Sequence, residues 1–191
     1  LGFAGHHAFD YPWLGVTALS LVTLVTNDVR SRATALGVVG LALGVGGQVL
    51  AWSAGPLLIV PIGGIAVGLA VVWVREGTSP LVAGGPILAG LLGGAGLVWL
   101  GHTTLGWHTT VVATAPALLF AGVAGVFVVT EGVARVRPDP RLAVGAVLAS
   151  GITGLVGAVV LFPDIWQTLR ARASGSLFRS DSIAETAGLF S

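Results

Sequence analysis

Cysteine, methionine and lysine are all missing from the 191 residues. Without cysteine there is no disulfide, no thiol nucleophile and no thiolate metal site, and the redox compartment leaves no trace. Charge is nearly as scarce. Nine arginines and eight carboxylates make up 9% of the chain, where a soluble domain carries about 25% charged residues. Residues 33–74, 81–130 and 142–163 hold no Asp, Glu, Lys or Arg at all. Such a composition builds neither a water-facing surface nor the basic patch of a nucleic-acid binder, and it is too apolar for a disordered tail. What remains is apolar: 54% hydrophobic residues and a mean hydropathy of +0.95. The chain reads as an all-α, polytopic transmembrane bundle with the lipid bilayer as its solvent.

A spanning helix needs about 20 mostly apolar residues to cross about 30 Å of hydrocarbon. The charge-free runs divide into six such spans, at residues 11–26, 33–51, 57–74, 81–100, 110–130 and 142–162. Strands are disfavoured, because barrel strands are about 10 residues long and alternate in polarity. The domain plan is then an external loop at 1–10, a six-span bundle at 11–162, and the start of a large external segment at 163–191. The chain opens at Leu1 without a methionine and stops at Ser191 without a charged tail. It therefore reads as an internal piece of a longer protein.

Arginine sets the orientation. The loops after the first, third and fifth spans carry Arg30 and Arg32, then Arg75, then Arg135, Arg137 and Arg141, while the loops between them carry none. Cytoplasmic loops hold the Lys/Arg excess, so both ends of the chain are expected on the external side of the cell membrane. Arg170, Arg172 and Arg179 in the tail run against this rule; either an external segment with its own task or a different number of spans would account for them.

Glycines at small-xxx-small spacing, Gly40/Gly44, Gly64/Gly68 and Gly90/Gly94, are expected to let helix backbones approach closely in lipid. Pro61, Pro86 and Pro116 fall inside spans, where each removes a backbone donor. No phosphate-binding glycine loop follows a strand, and no internal repeat is visible. No span carries an ionisable carboxylate or arginine, which argues against a proton relay. Gln48 and neighbouring hydroxyls leave a polar passage open as an alternative.

Polar chemistry therefore concentrates at the external surface. Gly5-His6-His7-Ala8-Phe9-Asp10 combines imidazole with carboxylate, a set that suits a divalent cation; an interfacial polar role competes with it. Arg179-Ser180-Asp181-Ser182-Ile183-Ala184-Glu185-Thr186 is the second concentration. His102 and His108 have no acidic neighbour in sequence and read as interfacial. Six spans return Asp10 and Glu185 to the same face.

Taken in order, these motifs resemble the archaeal dolichol-linked oligosaccharyltransferase catalytic subunit, the single-subunit enzyme of protein N-glycosylation. Ser182-Ile183-Ala184-Glu185 is similar to the family's Ser/Thr-Ile/Val-x-Glu motif of the fifth external loop. Gly2-Phe3-Ala4-Gly5-His6-His7-Ala8-Phe9-Asp10 resembles its second acidic motif. Gln48-Val49-Leu50-Ala51-Trp52-Ser53-Ala54-Gly55 resembles a Trp-plus-small-residue turn, and the family has six spans between the two acidic elements. The resemblance implies glycosyl transfer from a dolichyl-phosphate-linked oligosaccharide to asparagine in an Asn-x-Ser/Thr sequon. It implies a divalent metal, Mn2+ or Mg2+, held by His7 and, less directly, Asp10. Glu185 would act on the acceptor asparagine, with Ser182, Ile183 and Arg179 at the substrate. Where the family has an aspartate two residues before the second histidine, this chain has Gly5, which supplies no side-chain ligand. The family's first acidic loop and its Trp-Trp-Asp-Tyr-Gly domain have no counterpart here, so this piece is not expected to catalyse transfer alone. A transporter or channel segment and a structural membrane subunit are the alternatives.

Overall fold

A computed structural model describes the backbone of residues 7–52, 55–136 and 139–161 and the side chains of 11–52, 55–136 and 139–152. All regular structure among the described residues is helical: α1 (His7–Thr26), α2 (Arg32–Ala51), α3 (Gly55–Arg75), α4 (Pro80–Leu105), α5 (Thr110–Val136) and α6 (Pro140–Leu161). Four of them, α2 to α5, are long and apolar enough to cross a membrane. The first compact unit, Leu1–Val147, holds α1 to α5 and the start of α6, and the second begins at Leu148 within α6.

Polar punctuation sets the helix ends. Ser31 caps α2, its hydroxyl accepting from Thr34 N–H at 3.0 Å. α3 stops at the left-handed Gly77, with Thr78 N–H closing back on Trp73 O at 2.8 Å, a bond pattern that satisfies the last carbonyls of a helix. Ser79 then caps α4, with Pro80 at its first position, where a missing N–H costs nothing. Asp139 caps α6 through Arg141 N–H at 2.8 Å.

Three helices overrun the boundaries expected from hydropathy. α1 starts at His7, so His7 to Asp10 are helical and not loop. α4 continues to Leu105 and takes in His102. α5 continues to Val136 and takes in Glu131 and Arg135. The physical reason is common to all: an α-helix needs its own hydrogen bonds, not hydrocarbon, and continues into the headgroup layer until a cap or a glycine ends it. The expectation of spans without ionisable side chains thus holds for residues 110–130 but not for α5 as a whole.

Small residues bring the helices together. On α2, Gly37, Gly40, Gly44 and Gly47 face Leu24, Ser20, Thr17 and Trp13 of α1, an antiparallel register in which an added Cβ meets the partner each time. On α4, Gly90 and Gly94 face Leu41 and Val45 of α2 in parallel register, and Gly84 admits the ring of Phe127 from α5. Phe127 also meets Trp73 edge-on at 5.6 Å, tying α5 to α3. The core between these helices is built on Leu41, Val45, Val49, Ile62, Ile87, Leu91, Val123 and Phe127. The expected close packing is found at Gly40/Gly44 and Gly90/Gly94. It is not found at Gly64/Gly68, where a Cβ meets nothing within 4 Å. Large apolar side chains point outward as well, among them Leu36, Leu57, Val111 and Leu118, a surface suited to acyl chains and not to water.

Candidate functional site

The helix registers place the start of α1, the end of α2 and the α4–α5 turn at the end of the first unit that lacks arginine. Two imidazoles organise that turn. Gly106 ends α4 in the left-handed conformation, its N–H returning to His102 O at 3.1 Å. His108 is left-handed too, at φ 63°, a region uncommon for any residue but glycine. Its Nε2 lies 3.1 Å from Leu50 O of α2. A carbonyl only accepts, so Nε2–H is the donor. His102 Nδ1 lies 3.2 Å from His108 O and 3.3 Å from Trp107 O, and donates by the same reasoning. Its Nε2 is left to accept from Thr110 Oγ1 at 3.4 Å. His108 thus ties the turn to α2 and His102 closes the turn on itself, structural tasks beyond the interfacial role their sequence context suggests.

Below this turn lies a buried polar trio. Gln48, fully buried, donates through Nε2 to Thr17 Oγ1 at 2.7 Å and to Trp13 O at 3.3 Å. Thr17 in turn donates to Trp13 O at 2.8 Å. Gln48 Oε1 has no partner among the described residues. Gly44 makes the trio possible, because an added Cβ there meets Thr17 itself.

At the arginine-bearing end, Glu131 of α5 is buried against the start of α4. Its Oε2 accepts from Ser79 Oγ at 2.6 Å and from Leu81 N–H at 3.3 Å, and its Oε1 accepts from Arg135 Nε at 3.0 Å. A carboxylate at a helix N-terminus meets unpaired N–H groups and the positive end of the helix dipole. This clasp joins α5 to α4. The sequence contained its signals, a Ser-Pro helix start and a Glu-x-x-x-Arg spacing, but not their pairing.

His7 and Asp10 fall on the first turn of α1. Their i, i+3 spacing puts the two positions on one helix face, as a shared ligand site requires, while their side chains lie outside the described residues. Arg179, Ser182, Ile183 and Glu185 lie outside them altogether. Among the described residues, no group of three or more His, Asp or Glu is placed to hold a metal ion. Neither a protein family model nor a curated protein nor a solved structure matches the chain.

Proposed function

We propose that this chain is the membrane core of a dolichyl-phosphooligosaccharide–protein glycosyltransferase, embedded in the cell membrane with both ends external. The observation that carries this reading is the ordered pair of motifs, His6-His7 with Asp10 before the first span and Ser182-Ile183-Ala184-Glu185 after the sixth. Beyond α2 to α5, this reading has two more helices cross: α1 from Tyr11 to Thr26 and α6 with its 22 residues, about 24 Å and about 33 Å at about 1.5 Å per residue. Six crossings return both motifs to one side.

In this reading the glycosidic C1–O bond to the carrier phosphate breaks as a C1–N bond forms to the acceptor amide; the C–O electrons leave with the phosphate, which also takes up the proton that the amide nitrogen loses. Glu185 orients that amide and receives hydrogen bonds from its NH2 group. Ser182 and Ile183 shape the acceptor groove, and Arg179 faces the carrier phosphate. His7 and Asp10, on one face of α1, would hold Mn2+ or Mg2+, which neutralises phosphate charge when bound.

The test is glycopeptide formation in membranes of cells expressing the gene, with an Asn-x-Thr peptide and its Asn→Gln control. Glu185→Gln is expected to lower turnover by about 100-fold or more, the scale of losing a group that acts on the reacting atoms. Unchanged turnover removes Glu185 from the mechanism, and transfer to the Gln control peptide points to a different acceptor. The Gln48–Thr17 pair favours transport as a second reading. Substrate flux in proteoliposomes that Gln48→Leu abolishes would replace the enzyme reading.

A further inference from the structure

An open groove of about 400 Å³ lies between the first halves of α2 and α4. Val29, Arg30 and Ser31 form its mouth at the arginine-bearing end, and Val38, Pro86 and Ala89 line it farther in. Val38 is six positions into α2 and Ala89 nine positions into α4, depths of about 9 Å and about 13 Å at about 1.5 Å per residue. One leaflet's hydrocarbon is about 15 Å thick, half of about 30 Å. The trough therefore runs through one leaflet, from the headgroup layer almost to the bilayer midplane.

Its polarity follows the same axis. Arg30 is exposed at the mouth, and among the described residues it takes part in no ion pair or hydrogen bond. No carboxylate is among the lining residues of the groove, although Asp28 lies in the same turn as Arg30. Gly85 lies along the trough, and an added Cβ there meets nothing within 4 Å. A guanidinium above an apolar channel of leaflet depth matches one ligand shape, a phosphate with an acyl chain beneath it.

We infer that this groove binds one anionic phospholipid of the arginine-side leaflet, its phosphate on Arg30 and one acyl chain along Val38, Pro86 and Ala89. The inference rests on the membrane reading and is independent of glycosyl transfer.

The test uses the purified full chain in neutral detergent, titrated with phosphatidylglycerol or phosphatidylcholine and read by native mass spectrometry. One phosphatidylglycerol per chain is expected to bind in preference to phosphatidylcholine. Arg30→Gln is expected to weaken phosphatidylglycerol binding about fivefold, the worth of one basic side chain at an anionic surface. Arg75→Gln removes the same charge at the same end but outside the groove, and is expected to change nothing. Gly85→Leu adds a good helix former into open space and fills the trough, so it is expected to keep the circular dichroism spectrum and lose bound lipid of both kinds. Equal losses from Arg75→Gln and Arg30→Gln would overturn the site, reducing it to general charge attraction. Full lipid binding by Gly85→Leu would overturn it too, and a concurrent change in oligomeric state would reassign the groove to a contact between copies of the chain.

Discussion

Glu131 shows what a single charged side chain does in a molecule that has so few. Buried at the start of α4, it satisfies Ser79 and the Leu81 N–H at once. Glu131→Ala leaves a hydroxyl and a helix-start N–H without their acceptor, so it is expected to cost about 1–3 kcal/mol, read as a lowered thermal midpoint in detergent. Arg135, with 75% of its side chain exposed, contributes through a solvent-screened pair. Arg135→Ala is expected to change stability by less than about 0.5 kcal/mol. A larger loss at Arg135 than at Glu131 would mean that the ion pair, and not the helix cap, holds the clasp. The same contrast separates glycines. At Gly44 an added Cβ meets Thr17 backbone atoms at 3.0 and 3.1 Å, which have no room to retreat. Gly44→Ala is therefore expected to destabilise by about 1–3 kcal/mol. Gly68→Ala, in open space, is expected to be neutral or to stabilise by up to about 1 kcal/mol through helix propensity. Thermal melts of the two variants check the sign of each.

Between elements, the α1–α2 seam is closely packed along four glycines and can be tested by covalent capture. A Cβ built on Gly40 lies 3.5 Å from Ser20 Cβ, within the separation that a disulfide bridges. Because the chain has no cysteine of its own, the pair Ser20→Cys with Gly40→Cys is expected to cross-link on mild oxidation without background. Leu19→Cys with Gly40→Cys is expected not to, since Leu19 is on the exposed side of α1. Cross-linking of the second pair alone would mean a helix rotated by one position. Hydropathy made the small-residue spacing visible at Gly40/Gly44, Gly64/Gly68 and Gly90/Gly94, yet only two of the three pairs meet a neighbour. Spacing along one helix says which face is smooth. Whether another helix covers that face depends on which helices are adjacent, a property of the assembled bundle.

At the scale of the molecule, the registers alternate: α1 antiparallel to α2, α2 parallel to α4. Alternation puts the Asn27–Arg30 turn and the Arg75–Gly77 turn at one end and the Leu105–Thr109 turn at the other. With single cysteines in sealed vesicles, Val29→Cys and Glu76→Cys are expected to react with an impermeant maleimide from one side only, and Leu105→Cys from the other. If the proposed orientation holds, the first side is the cytoplasmic one. Reaction of all three from the same side would break the alternation and with it the count of crossings.

Helical class, the positions of the six described helices to within two turns, and the end at which arginine gathers were all legible in the residues. Each follows from local chemistry: the cost of unpaired backbone in lipid, and of charge in hydrocarbon, acts on every residue whatever its neighbours. Pairings between distant positions were not legible. Glu131 with Ser79 spans 52 positions, His108 with Leu50 spans 58, and Gln48 with Thr17 spans 31. Such contacts depend on which helix faces which and at what height, and a membrane weakens the guidance because lipid is as apolar a neighbour as leucine. Packing of small residues and a few hydrogen bonds chose the partners.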